Sequence, residues 1–439
     1  MGELTASPAA FELLVRNTSE VLTLRAPPGR DAERALGAVH RGVVGVREGI
    51  IAYVGPEQDV PEGAVTAATQ ILDAGGGFVG PGFVDPHTHC VFAGERSHEF
   101  ELRNQGASYL ELAKAGGGIM STVKATRAAS GADLVALTRP RLARMLAHGV
   151  TCAEVKSGYG LNVRDELKML EVVQSLRAIQ PVELVPTLLC AHAIPTEQKP
   201  NRAHYVDVCV KEIIPEVASR NLARFCDVFT EEGAFSLAES ERILVAGKAH
   251  GLIPRLHADQ LTASGASGLA ATLHASSADH LEEISEDGIR ALADAGVVAV
   301  LMPTSTLFMH QKRYAPGRKL WDAGVPVALG TNVNPGSAMS ENHALTLGLG
   351  CLLNGLTAAE AYWAATRGAA MALRLPHHGE LVLGGPADLV VFSCPTYRHL
   401  PYHLGINHVR WVVKSGNVVV QRGDAPECGE LRRRPDLGV

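Results

Sequence analysis

Short apolar segments alternate with amphipathic segments through the middle of this chain. The apolar segments lack the strict alternation of a half-buried strand, and the segments between them repeat at helical spacing. Near-continuous apolar strands separated by helices are typical of a parallel sheet covered on both faces. The predicted strands are Gly80–His87, Thr151–Val155, Glu183–Leu189, Arg224–Phe229, Pro254–His257, Ser276–Asp279, Val297–Met302 and Pro326–Gly330. Four predicted helices are Ala132–His148, Arg164–Ile179, Leu237–His250 and Glu286–Ala295.

The strand pattern predicts the α/β class and, more specifically, a (β/α)₈ TIM barrel. An open, doubly wound sheet is the structural alternative. That fold would place a glycine-rich phosphate turn directly after an early strand. Here Gly116-Gly117-Gly118 follows a helix-like stretch instead. The barrel is therefore the favoured interpretation.

The two ends of the chain have a different pattern, with short alternating strands and turn signals. Neither end is able to bury a core alone, so we expect them to pack together as one small composite β-sandwich. The expected domains are 1–77 plus 379–439 for the sandwich and 78–378 for the barrel. The predicted terminal strands are Glu12–Arg16, Gly42–Val46, Ile50–Gly55, Gln70–Asp73, Glu380–Leu383, Ala387–Phe392, Val409–Val413 and Val418–Val420.

Composition narrows the class of protein. The 439 residues are 46% hydrophobic and 20% charged, with a net charge of −6. No basic block is present, so nucleic acid is not an expected partner. No apolar run reaches the length of a membrane span, which argues against a membrane association. The eight cysteines are scattered without a C-x-x-C motif, as expected for buried thiols in a reducing cytoplasm.

The most informative chemistry is the pair His87 and His89 at the end of the first predicted barrel strand. Side chains alternate between the two faces of a strand, so both imidazoles point to the same side and can hold one metal ion. A pair of surface histidines is the alternative interpretation. The apolar run that leads into the pair argues against that alternative.

Other polar residues also follow predicted barrel strands, at the end where barrel enzymes carry their catalytic groups. A single histidine at such a position would more often be structural. Four strands ending in histidine instead predict an open catalytic metal site, in which the ion lowers the pKa of a water molecule. The residues at strand ends are His87, His89, Tyr159, His192, His257, His280, Asn332 and Asn334.

A series of motifs resembles a known family. Pro81–His89 is similar to the first-strand motif of the amidohydrolase superfamily, and the whole series, from about residue 75 to 420, resembles imidazolonepropionases. The further motifs are Phe92–Phe100, Gly106–Tyr109, Ala115–Gly118, Lys156–Gly160, Ala191-His192, His257–Gln260, Ser277–His280, Asn334–Ser337, Pro401–His403 and Asn407-His408.

The resemblance implies a barrel with a composite β-domain, one Zn²⁺ or Fe³⁺ ion per chain, a cytoplasmic location and a homodimer. It also implies hydrolytic opening of 4-imidazolone-5-propanoate, a small molecule with a carboxylate, to N-formimidoyl-L-glutamate. By position, the implied metal ligands are His87, His89, His257 and Asn332. The implied catalytic residues are His280, Gln260 and Asn332. The implied substrate-binding residues are Arg96, Tyr109, Tyr159, His192, Gln260, Asn334, Gly336 and Ser337.

The chemistry of Arg96 agrees with its implied role. A propanoate group favours a planar guanidinium donor, which can bind both carboxylate oxygens. The alternative is an ordinary ion pair between Arg96 and Glu95 or Glu99.

Two positions depart from the family pattern. Asn332 stands where the family usually has aspartate, and Gln260 stands where some relatives have glutamate. Neither amide is a general base, which leaves His280 as the one well-placed group for deprotonating water. Two alternatives follow: an amidohydrolase acting on another cyclic amide or amidine, and a catalytically impaired binding homologue.

Lys156 suggests one more alternative. Some amidohydrolases bridge two metal ions with a carbamylated lysine on a barrel strand, and Lys156 ends the second strand. That role usually falls later in the barrel, and the resembling family binds one metal. The two-metal interpretation is therefore the less favoured one.

Overall fold

The computed structural model describes residues 10–25, 31–106 and 117–423, and the structural statements below concern these residues. Eighteen strands form three sheets in this part of the chain. They are β1 (Leu13–Arg16), β2 (Glu20–Leu22), β3 (Ala38–His40), β4 (Gly42–Arg47), β5 (Ile50–Pro56), β6 (Gln70–Asp73), β7 (Val79–Pro81), β8 (Phe83–Asp85), β9 (Val150–Lys156), β10 (Glu183–Ala191), β11 (Phe225–Thr230), β12 (Ile253–Ala258), β13 (Ser277–His280), β14 (Val298–Leu301), β15 (Val327–Leu329), β16 (Leu389–Phe392), β17 (Val409–Lys414) and β18 (Asn417–Gln421).

Strands β8 to β15 form one parallel sheet in which each strand pairs with its neighbour in sequence. The segments that follow the first and last of these strands hydrogen-bond to each other. The amide of Asn332 donates to the carbonyl of His87 at 3.0 Å, and the amide of His89 donates to Val333 at 3.0 Å. These bonds join the ends of the sheet, so the predicted barrel is confirmed.

Helices follow most barrel strands and cover their outer faces, because each helix buries one apolar side against the sheet. The α-helices are Ala32–Ala35, Ser97–Asn104, Ile119–Ala128, Gly131–Ala147, Val163–Arg177, Arg202–Val208, Ile214–Ser219, Leu237–Ala249, Ala266–Leu273, Glu286–Ala295, Pro303–Phe308, Gly317–Asp322, His343–Asn354, Ala358–Trp363, Ala369–Ala372 and His399–Tyr402. Two 3₁₀ helices (Glu57–Asp59 and Thr196–Asn201) and two π-helical turns (Cys209–Ile213 and Ala364–Gly368) complete the described set. None of the helices in these ranges is long and apolar enough to cross a bilayer.

The remaining strands form two sheets from both ends of the chain. One has the order β5-β4-β1-β6, and the other has the order β18-β17-β16-β7-β2-β3. Side chains from both sheets, including Leu13 and Val44 from the first and Val21 and Leu389 from the second, share one buried apolar cluster. The two sheets therefore pack as a composite β-sandwich.

Polar contacts attach the sandwich to the barrel. Lys414, at the end of β17, forms ion pairs with Asp388 and with Glu183 at the start of β10. The imidazole of His378 also contacts Glu183, with 3.0 Å between Nε2 and Oε2. These groups lie at the N-terminal end of a barrel strand, away from the strand ends that carry the histidines.

The predicted strand Gly80–His87 was wrong as a single element. The run divides at Gly82, where a Cβ would lie 2.2 Å from the Thr151 hydroxyl. Before that point β7 pairs with β16 and β2 of the sandwich, and after it β8 pairs with β9 of the barrel.

Two further differences concern the sandwich. The predicted strand Glu380–Leu383 was wrong, because only isolated backbone bonds form there, such as the one from Leu381 to Thr23. Strands β2 and β3 were not predicted. Each has three residues, which is too short for an alternating pattern to show.

Candidate active site

Five histidines converge at the C-terminal ends of the barrel strands. One ring nitrogen from each of His87, His257 and His280 lies within 4.8 Å of the other two, and the same holds for His89, His192 and His257. His257 belongs to both groups. The ring centroids of His87 and His257 are 4.6 Å apart, and the His89 and His192 rings stack at 5.0 Å. The barrel thus gathers residues separated by almost two hundred positions in sequence.

Two buried carboxylates orient two of these imidazole rings. Nδ1 of His87 lies 2.6 Å from the carboxylate of Asp279, and Nδ1 of His257 lies 3.1 Å from that of Asp227. A carboxylate at neutral pH only accepts, so each Nδ1 carries the hydrogen and each Nε2 keeps its lone pair. This is the arrangement that metal-binding histidines require.

Burial keeps these imidazoles neutral. It lowers the pKa of His257 to about 4, although the neighbouring Asp227 opposes the shift. Burial likewise lowers the pKa of His192 to about 4. The pKa values of His87 and His89 lie well below the usual range, first because of burial and then because cationic Lys156 and other histidines are close. Neutral rings at physiological pH are free to bind a cation.

The cluster fits a metal ion on two further observations. The Nε2 atoms of His87 and His89 are 3.2 Å apart, close to the separation of about 3.3 Å expected for two nitrogens bound to one tetrahedral zinc ion. In addition, Nε2 of His257 and Oδ1 of Asn332 are buried and find no hydrogen-bond partner among the described residues. Buried polar atoms without a partner are rare, and a cation held by the histidine cluster would satisfy Nε2 of His257. The cluster can therefore hold a metal ion.

A network of fully buried charges lies beneath the histidines. The ammonium of Lys156 is 2.7 Å from Glu154 and 2.8 Å from Asp227, and the guanidinium of Arg255 is 3.0 Å from Asp279. Two cations thus compensate three carboxylates. Carbamylation of Lys156 would place a new negative charge against two existing ones, so this network argues against the two-metal alternative.

Asn332 lies in the segment that closes the barrel, with a left-handed backbone at φ 55°. Its side-chain nitrogen, Nδ2, donates to the hydroxyl of Ser305 at 3.0 Å. That bond orients the side chain and leaves the carbonyl oxygen as the unpartnered atom. The Asn332 side chain therefore has a buried oxygen without a hydrogen-bond partner among the described residues, and it carries no negative charge.

His280 ends β13 and lies against the cluster, with its ring 5.3 Å from that of His257 and 5.5 Å from that of His87. Its backbone has φ 84°, a conformation that non-glycine residues adopt mainly where the surroundings enforce it. Its Nδ1 is buried, and the closest carboxylate oxygen, on Glu282, is 3.8 Å away. This nitrogen has no hydrogen-bond partner among the described residues.

Arg96 reaches the turn that follows the last barrel strand. Its Nε and Nη2 pair with Glu99 at 3.1 and 2.8 Å, which matches the ion-pair alternative. The Nη1 edge instead lies over Gly336, where a Cβ would approach to 2.3 Å. The Asn334 side chain holds the same turn by accepting from the amides of Gly336 and Ser337, each at 2.8 Å. The ion pair therefore orients the Arg96 guanidinium, with its Nη1 edge against this turn.

Tyr159 and His192 lie beside the metal-binding histidines. The Tyr159 ring is 6.0 Å from that of His89 and 5.4 Å from that of His192. Gln260 is half-buried in the loop after β12, and the adjacent Asp259 ties that loop to the next helix through its carboxylate. Tyr109 lies outside the described residues.

Comparison with known proteins bears on the family. The Amidohydrolase family model matches residues 103–420. An imidazolonepropionase of Myxococcus xanthus is 65% identical, over 94% of this chain and 98% of that protein. The imidazolonepropionase of Geobacillus kaustophilus is 45% identical, over 94% and 98%. The chain belongs to the imidazolonepropionase family. It is an amidohydrolase, and the metal-binding character of that family agrees with the histidine cluster.

Solved structures support the same architecture at low identity. An adenosine deaminase from Xanthomonas campestris with bound zinc is 19% identical, with a TM-score of 0.68 over 94% of each chain. A 5-methylcytosine deaminase from Klebsiella pneumoniae is 15% identical, with a TM-score of 0.71 over 93% of this chain and 98% of that one. These likenesses establish the fold alone.

Several residues of the site were not predicted from the sequence. The most important are the buried charges Glu154, Asp227, Arg255 and Asp279. One signal was available for Glu154, Asp227 and Arg255, since each interrupts a mostly apolar barrel strand, where an ionised group needs a partner.

Proposed function

We propose that this imidazolonepropionase-family chain hydrolyses 4-imidazolone-5-propanoate to N-formimidoyl-L-glutamate. The observation that carries the proposal is the convergence of His87, His89 and His257, with two of the three rings oriented by Asp279 and Asp227. Neutral, oriented imidazoles are the ligands of a hydrolytic metal site, and the family identity supports the substrate.

We assign the metal to His87, His89 and His257, with Asn332 contributing its unpartnered carbonyl oxygen. Zn²⁺ or Fe³⁺ would serve, and either would polarise a water molecule and the ring carbonyl under attack. Imidazole nitrogens bind both zinc and iron, so this ligand set is compatible with either metal.

His280 performs the proton transfers in this proposal. It takes a proton from water as the oxygen attacks the ring carbonyl carbon, and it returns a proton to the ring nitrogen as the carbon–nitrogen bond breaks. The products are a new carboxylate and the N-formimidoyl group. Asn332 and Gln260 orient groups by hydrogen bonding and do not titrate.

The other pocket residues hold the substrate. The Nη1 edge of the Arg96 guanidinium faces the turn of Asn334, Gly336 and Ser337, and we assign it to the propanoate carboxylate. We assign Tyr159, His192 and Tyr109 to contacts with the ring. The homodimer and the cytoplasmic location stay predictions from the resemblance.

The proposal is tested by the loss of substrate absorbance on incubation with purified protein, together with identification of the product. The double variant His87→Ala/His89→Ala should lose both the metal and turnover. His204→Ala, which changes an exposed histidine outside the site, is the matched control and should keep both. Tight substrate binding without turnover would instead support the impaired binding homologue.

A further inference from the structure

The loop between β9 and the helix Val163–Arg177 has an unusual backbone. Gly158 has φ 105° and Leu161 has φ 53°, and a branched aliphatic residue rarely adopts the second value. Such conformations persist when the surroundings enforce them. Tyr159 lies between these two positions, so whatever holds this loop also places the Tyr159 ring.

Glu166 accepts hydrogen bonds from the backbone amides of this loop. Its carboxylate is fully buried and accepts from the backbone amides of Gly158 at 3.1 Å, Gly160 at 2.8 Å and Leu161 at 2.8 Å. Gly160 has no room for a side chain, because a Cβ would lie 2.4 Å from the Glu166 amide. The chain therefore wraps closely around one carboxylate.

Arg127 donates hydrogen bonds to backbone carbonyls of the same loop. Its Nε donates to the carbonyl of Gly160 at 2.6 Å, and its Nη2 donates to that of Leu161 at 3.1 Å. The third nitrogen pairs with Glu197 at 2.7 Å. The Glu166 carboxylate and the Arg127 guanidinium thus satisfy the backbone N–H and C=O groups of two successive residues, Gly160 and Leu161.

The loop connects this clamp to the site through Gly158. The Gly158 amide donates to Glu166, while its carbonyl accepts from Nδ1 of His192 at 3.1 Å. The His192 ring in turn stacks on that of His89. We propose that Glu166 and Arg127 are positioning residues, which hold Tyr159 and His192 in place for the substrate. This inference rests on the proposed function.

A simpler role for Glu166 would be to start its helix. That task already belongs to Asn162, whose side chain accepts from the amide of Asp165 as the N-cap. All the backbone bonds of Glu166 named above go to the loop. The carboxylate therefore acts on the segment that carries Tyr159.

The clamp is tested with Glu166→Gln and Arg127→Lys in the metal-loaded enzyme. The glutamine directs an NH₂ group at backbone amides, and the lysine loses the planar fork. Hydrogen exchange at the amides of Gly158, Gly160 and Leu161 should accelerate without substrate present. Metal content should not change, and kcat/KM should fall about 10- to 100-fold. Glu171→Gln, an exposed change on the same helix, should alter neither measurement.

A double-mutant cycle separates positioning from general stabilisation. If Glu166 acts through the loop, its substitution should cost several-fold less in kcat/KM once Tyr159→Phe is present. Unchanged exchange rates, or fully additive losses in kcat/KM, would overturn the clamp. If Glu166→Gln does not fold, Arg127→Lys is judged by the same two criteria. Turnover by the unmodified enzyme is measured first, so failure of the proposed function is recognised separately.

Discussion

Asn332→Asp is the most informative single substitution in this site. Asn332 is 2% exposed, and its unpartnered carbonyl oxygen is the atom that we assign to the metal. Aspartate preserves the size of the side chain and replaces the amide donor with an oxygen. The Ser305 hydroxyl, now 3.0 Å from the amide, can rotate and donate to the carboxylate instead. The change therefore adds one negative charge with little rearrangement.

The surrounding charges set the size of the effect. Beneath the histidines, the carboxylates of Glu154, Asp227 and Asp279 outnumber the cations Lys156 and Arg255. Asp85, which is also buried, accepts from the amides of His87 and Thr331, so an aspartate at position 332 would add to an excess of negative charge. A bound metal cation would offset that excess. The charge balance thus favours aspartate when the metal is bound and disfavours it when the metal is absent.

We expect opposite effects in the two states. Without metal, Asn332→Asp should lower the free energy of unfolding by about 1–3 kcal/mol, because the buried carboxylate has no cation to compensate its charge. With metal, dissociation of the ion should slow about ten-fold or more. The new proton acceptor beside His280 should raise kcat about ten-fold. Urea unfolding, chelator-driven metal release and steady-state kinetics measure the three quantities.

Ser305→Ala is the control, because it removes the hydrogen bond to position 332 without adding charge. It should reproduce none of the gain in metal retention. If Asn332→Asp leaves both metal retention and kcat unchanged, or abolishes activity, the reasoning fails. The site would then be adapted to asparagine, and His280→Ala alone should remove nearly all turnover.

Three further outcomes are expected. Gly336→Ala should raise KM at least ten-fold, because its methyl group would displace the Arg96 guanidinium that lies 2.3 Å from the new Cβ. Burial lowers the pKa of His378, but the hydrogen bond and charge of Glu183 outweigh burial and raise it above 6.5. The ion pair of His378 with Glu183 therefore stabilises the fold fully below pH 6.5, and this stabilisation is lost as the pH rises through the raised pKa of His378. In His378→Gln, the free energy of unfolding should fall less steeply above pH 6.5. Lys156→Met should cost about 3–5 kcal/mol in urea unfolding, because it leaves buried carboxylates without their cation.

Each of these has a matched control. Gly268→Ala, at a helical glycine with open space for a Cβ, should leave KM unchanged. If Gly336→Ala also leaves KM unchanged, Arg96 does not contact the substrate. His204→Gln should keep the pH dependence of the unfolding free energy. If His378→Gln keeps it as well, the ion pair between His378 and Glu183 does not cause that dependence. Lys211→Met changes an exposed lysine, and an equally small cost at Lys156 would contradict the buried network.

The barrel could be predicted because its information is local. Buried parallel strands are continuously apolar, and the predicted helix Glu286–Ala295 matches the structure at both ends. The pairing of His87 with His89 followed from strand alternation, because the polypeptide itself fixes that geometry. The division of one apolar run at Gly82 could not be predicted, since it depends on which distant strand each half meets.

The supporting groups of the site depend on tertiary contacts in the same way. Asp279 adjoins His280 in sequence but orients His87, and Asp227 orients His257 across a strand boundary. Glu166 lies on a helix surface by its spacing alone. Its burial follows from a loop that folds back over it, which no sequence period records.

The central claim is that the histidine cluster holds one metal ion that hydrolysis requires. It is tested most directly by elemental analysis of the purified chain, combined with turnover of 4-imidazolone-5-propanoate before chelation, after chelation and after the metal is restored. The account predicts about one Zn²⁺ or iron ion per chain, with loss and recovery of metal and turnover in parallel, and neither in His87→Ala/His89→Ala. Two ions per chain, equal metal in the double variant, or full turnover after complete metal removal would contradict it.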